Sequence, residues 1–88
     1  MTVIPRCLFM VLKRFPERKE GIQRLFRGNN NFQSLCEDYQ NCAEAVRYWN
    51  QSDSKEASTR REEYGGLLRD LEAEIVEYLN ESEEKGKP

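Results

Sequence analysis

The sequence predicts an all-α protein: an antiparallel two-helix hairpin of coiled-coil type, with an apolar face wide enough to dimerise into a four-helix bundle. Three observations carry that prediction. From Ile22 to Val46 the positions Ile22, Leu25, Phe32, Cys36, Tyr39, Ala43 and Val46 follow alternating three- and four-residue steps, broken only by Asn29. That is the spacing of one helix face turned toward another helix. The pattern repeats through Ala57, Arg61, Tyr64, Leu68, Leu71, Ile75 and Tyr78. Between the two stretches, Asn50-Gln51-Ser52-Asp53-Ser54 is a run of residues that cap and turn.

With 88 residues, one domain is the ceiling. The chain is 34% charged and 38% hydrophobic, with a mean hydropathy of −0.90, which suits long exposed helices better than a large core. Two such helices bury little apolar surface, so self-association or a helical partner is expected. Residues 1–28 carry seven basic and two acidic side chains, net +5, and residues 29–88 carry seven and fourteen, net −7. The plainer reading is mutual attraction of opposite-signed helices. The sharper one is a basic face for nucleic acid or anionic lipid, formed by Arg14, Arg18, Lys19, Arg24 and Arg27.

Residues 1–14 read as a flexible or loosely packed segment. The run Cys7 to Leu12 is uncharged but far too short to span a bilayer. No basic residue precedes the apolar part that begins at Val3, Pro5 and Arg6 interrupt it, and no small-residue cleavage site follows, so a signal peptide is not indicated. Interfacial membrane contact is an alternative, since Lys13 and Arg14 follow directly. Translation from Met10, without the first nine residues, is an alternative reading of this segment.

The hairpin spans 15–80. Phe15-Pro16-Glu17 has the form of a helix start, with proline in the first turn and Glu17 and Glu20 near the positive end of the dipole. Helix 1 is expected over about 16–50. Gly28-Asn29-Asn30-Asn31 weakens its middle by roughly 3 kcal/mol against alanine. The heptad phase survives that run, which favours one continuous helix with Asn29 at a core position, where an asparagine can fix register. Leu35, Cys42 and Trp49 add a third stripe, and three stripes need neighbours on two sides. Helix 2 is expected over about 54–80, opened by Asp53 with Glu56 or by Thr59 with Glu62 as a capping box. Gly65-Gly66 inside it marks either a kink or a close backbone approach. Residues 81–88 read as a disordered tail.

Little in the chain points to chemistry. There is no histidine, hence neither the usual general base nor the usual nitrogen metal ligand. Cys7, Cys36 and Cys42 form no CxxC pair and read as small buried hydrophobes in a reducing compartment. The neighbouring carboxylates Asp70, Glu74 and Glu77 read as a solvated face rather than an acid–base pair or di-metal site. Tyr39, Tyr48, Tyr64, Tyr78 and Trp49 read as core aromatics rather than base-stacking platforms.

The expectation is a cytoplasmic, non-catalytic protein-interaction module without cofactor, metal or small-molecule substrate. Phe32, Leu35, Tyr39, Val46 and Trp49, with Leu68, Leu71 and Ile75, would bury against a second copy or another helical protein. Phe15-Pro16-Glu17, Ile22-x-x-Leu25, Asn29-x-x-Phe32-x-x-Leu35, Tyr39, Leu68-Arg69-Asp70 and Glu74-Ile75 are similar to the YdcH-like family of small bacterial helical hairpins, over about residues 15–80. Asn31 stands where such proteins often carry histidine, and the acidic second helix with Gly65-Gly66 departs from their lysine-rich one. The resemblance implies an antiparallel hairpin in the bacterial cytoplasm and carries no catalytic residues.

Overall fold

A computed structural model describes residues 4–85. The described residues are all-helical, with four α-helices in place of the expected two: α1 (Arg6–Arg14), α2 (Lys19–Gly28), α3 (Asn30–Asn50) and α4 (Ala57–Lys85), plus a 3-10 turn at Pro16–Arg18.

The first helix overturns the expectation of a loose N-terminal segment. Cys7, Leu8 and Val11 are buried, and Leu12 and Phe15 pack beside them. Their i, i+1, i+4, i+5, i+8 spacing is a single helical stripe. Lys13 and Arg14 close the last turn, where the dipole favours cations. The helix ends at Phe15, whose N–H still donates to the Val11 carbonyl at 3.0 Å. A residue before proline is driven out of helical backbone, and Phe15 has φ −125° and ψ 65°. Pro16 then opens the 3-10 turn, as a proline in a first turn should.

The long helix expected over 16–50 is divided by one residue. Asn29 is extended, with φ −137° and ψ 108°. Its N–H donates to the Leu25 carbonyl, ending α2, and its Oδ1 accepts from the Phe32 N–H at 3.0 Å, beginning α3. Gln33 Nε2 donates back to the Phe26 carbonyl in the last turn of α2. The break therefore satisfies groups that helix ends leave without partners. Asn29 is an N-cap, not a register-setting core residue. The heptad phase persists because Ile22 and Phe32 reach one core from two helices.

α3 and α4 run antiparallel, since partners on α4 descend as α3 ascends. Phe32 meets Tyr78 edge-on at 5.7 Å, Tyr39 bonds Glu72, Cys42 bonds Tyr64 and Trp49 bonds Arg61. The connection is closed by Ser52 Oγ, which accepts from the Ser54 N–H at 3.2 Å. α4 starts at Ala57, between the two expected capping sites, and continues past residue 80 to Lys85. Between residue 80 and Gly86 there is neither glycine nor proline, and the expected tail is helical over 81–85. Gly86-Lys87-Pro88 lie outside the described residues. α4 is unbroken at Gly65-Gly66. A Cβ on Gly65 would meet nothing within 4 Å, so close approach does not explain that glycine. The close approach is elsewhere: a Cβ on Gly21 would stand 3.3 Å from Leu79 Cδ2, where α2 lies against α4.

The core sits toward one end. Every residue less than 2% exposed (Val11, Ile22, Phe32, Cys36, Ile75 and Leu79) belongs to α1, α2, the first half of α3 or the second half of α4. From Cys42 to the turn and from Ala57 to Leu68, α3 and α4 form a two-helix arm. The molecule measures 54 × 31 × 22 Å with a radius of gyration of 14.7 Å. A compact chain of this length has about 12 Å.

Candidate interaction surfaces

The residues expected on a partner-facing surface separate into two groups. Phe32, Leu35, Tyr39, Leu71 and Ile75 are buried in the chain's own core, so they are not available to a partner. The third stripe did need a neighbour, and α1 and α2 supply it at the core end. Val46, Trp49 and Leu68 are only half-buried.

A polar junction locks three helices. Glu72 on α4 accepts from Arg14 Nε of α1 at 2.9 Å, from Arg14 Nη2 at 3.3 Å, and from the Tyr39 hydroxyl of α3 at 2.9 Å. Burial, then the bonded Glu72 carboxylate, push the Tyr39 hydroxyl up to about 12. The hydrogen bond to Glu72 raises the Arg14 guanidinium as well. The sequence signal for Glu72 was its place four residues after Leu68 and three before Ile75, on the border of the apolar stripe.

The expected basic face does not form one surface. Arg14 is held by Glu72, and Arg18 donates to Asn80 Oδ1 at 3.1 Å. Lys19 borders a groove with Phe9, Arg24 borders another with Tyr78, and Arg27 is exposed. The charge asymmetry thus acts partly within the chain.

All three cysteines are free and buried. Desolvation raises Cys7 and Cys42 and pushes Cys36 up to about 12, so all three stay thiols at neutral pH. Cys42 Sγ donates to the Tyr64 carbonyl at 3.3 Å and pins α3 to α4. Among the described residues no cluster of three or more potential metal ligands occurs, and no helix is long and apolar enough to cross a membrane.

Two exposed apolar regions remain. On the arm, Cys42, Ala45, Tyr64, Leu67 and Leu71 line a groove between α3 and α4, together with the polar Asp38 and Asn41. Leu67 there is 47% exposed. At the arm tip Tyr48 is 64% exposed and stacks edge-on against Trp49 at 4.9 Å. Arg61 Nη1 donates to the Trp49 carbonyl at 3.3 Å, satisfying the end of α3. The second region lies on α1 and the residues just before it, where Phe9 and Ile4 face solvent. Sequence reasoning singled out neither Phe9, which fell in a segment read as loosely packed, nor Leu67, which looks like core until its neighbours are placed.

The chain matches no family model, no curated protein and no solved structure.

Proposed function

We propose that this chain is a small, non-catalytic protein-interaction module of the cytoplasm that pairs with a second copy of itself through the α3–α4 arm. The observation that carries the reading is the groove of Cys42, Ala45, Tyr64, Leu67 and Leu71, an apolar seam continuous with the core where α1 and α2 no longer cover it. A second arm laid against it supplies the missing layer and closes a four-helix bundle at that end. Cys42 and Ala45 are small enough for close approach, and Leu67 and Tyr64 fill the space between copies. Three buried thiols fit a reducing setting. Kinship with the YdcH-like hairpins belongs to the same proposal and rests on the matched residues alone.

Leu35, a natural target from sequence, does not test this, because charging it wrecks the monomer core. Leu67→Glu does, since that side chain is half in solvent. Light scattering across a concentration series is expected to give the mass of two chains for the parent and one for Leu67→Glu, with equal helicity by circular dichroism. A parent that stays monomeric, or a dimer indifferent to Leu67→Glu, overturns the reading.

A further inference from the structure

We infer that the outer face of α1 is a docking surface for an anionic lipid bilayer. Phe9 is 57% exposed and Ile4 52%, and these two large hydrophobics share one corner of the molecule. Phe9 lines two adjoining grooves and so stands as a ridge between them. Arg6, Lys13 and Arg47 border the groove on one side, and Lys13 and Lys19 that on the other. No acidic side chain lines either groove among the described residues. Glu17 and Glu20 follow in the next turns but line neither.

The shape and the charge together select the occupant. A partner helix would bury its apolar face in a concave groove. Here Phe9 and Ile4 are more than half exposed, and every charged side chain lining the two grooves is basic. That fits a soft interface, in which Phe9 and Ile4 enter the boundary between headgroups and acyl chains while Arg6, Lys13, Lys19 and Arg47 lie at phosphate level. Each cation near an anionic surface strengthens binding about fivefold. Arg14 is left out of the count because Glu72 holds it. Residues 29–88, net −7, are repelled by the same surface, which orients the molecule with α1 toward the lipid. The mode is peripheral, since no described helix can span. The inference is independent of pairing through the arm groove, which shares no lining residue with these two.

The test is co-sedimentation of the full chain with vesicles of phosphatidylcholine, with and without phosphatidylglycerol, at low and high salt. Binding is expected only with phosphatidylglycerol and should weaken as salt shortens the screening length. Phe9→Ala should lower affinity about tenfold, the scale of burying one aromatic ring. Lys13→Glu with Lys19→Glu should lower it at least about tenfold. Both variants should keep the parent's helicity, because the side chains are exposed. In a Trp49→Phe background, Phe9→Trp should shift its emission to the blue on phosphatidylglycerol vesicles. No binding to those vesicles at low salt overturns the inference. So does binding that Phe9→Ala leaves unchanged, and so does preferential capture of duplex DNA with no dependence on Phe9.

Discussion

The two ends of this molecule share the α3–α4 pair but differ in what surrounds it. At the core end α1 and α2 cover the pair, and Phe32, Ile75 and Leu79 are fully out of water. In the arm the same apolar periodicity has no cover, and Val46, Trp49 and Leu68 stay half-exposed. The difference shows that a helical pattern fixes which face is apolar, while the presence of a third layer fixes how much of that face leaves water. Stability should therefore be concentrated at one end.

Truncation at each end breaks this comparison most directly. Phe32→Ala should cost about 3–5 kcal/mol, since it empties a closed site and removes the Tyr78 ring contact. Val46→Ala should cost about 1 kcal/mol or less, because its site is already open to water. Urea denaturation followed by circular dichroism measures both. Equal losses would refute an uneven core.

The junction at Glu72 comes next. Glu72→Ala should cost about 1–3 kcal/mol, because it strips the partner from a buried Tyr39 hydroxyl. Arg14→Ala should cost less, since the guanidinium is half in solvent. Alkaline titration probes the same end. The folded chain holds the Cys36 thiol proton and the Tyr39 hydroxyl proton more tightly than the unfolded chain, moving them from ordinary values of 9.0 and 10.0 to about 12. Their contribution is complete below about pH 9 and is lost as pH rises toward 12. Melting temperature against pH should fall across that window.

Smaller effects sharpen the picture. Asn29→Ala should cost about 1 kcal/mol, the value of an N-cap, and speed hydrogen exchange at the Phe32 amide. Gly65→Ala should stabilise the chain by up to about 1 kcal/mol, since its new methyl meets open space. Gly21→Ala should gain less, because its methyl presses on Leu79. Thermal melts of the two variants decide this.

The α3–α4 pairing was legible because its signals are local or periodic: the three- and four-residue steps, the serine-rich turn, and the breadth of the stripe through Leu35 and Cys42. Pro16 opens a 3-10 turn, and α2 itself begins at Lys19, three residues after the expected start. The division at Asn29 was hidden by the heptad phase, although glycine followed by asparagine is also a stop followed by a cap. The break is held by the Asn29 cap and by the Gln33 side chain reaching Phe26, a contact that no propensity scale records. α1 was hidden for another reason. Its stripe of Cys7, Leu8 and Val11 is short, and a nine-residue helix is stable only once packed. The candidate surfaces were least legible, since exposure depends on which helix lies above a residue.

The corner at Asn29 also governs how force passes through the molecule. Both loose helix ends there are tied, the Phe32 amide to Asn29 and the Phe26 carbonyl to Gln33. Bending at that point must break bonds on each side, so the corner acts as a brace instead of a swivel. Torque applied at α1 or α2 is delivered to α3, whose 21 residues extend about 30 Å. The far end of α3, beside Tyr48 and Trp49, is therefore the point most sensitive to the angle set at Asn29.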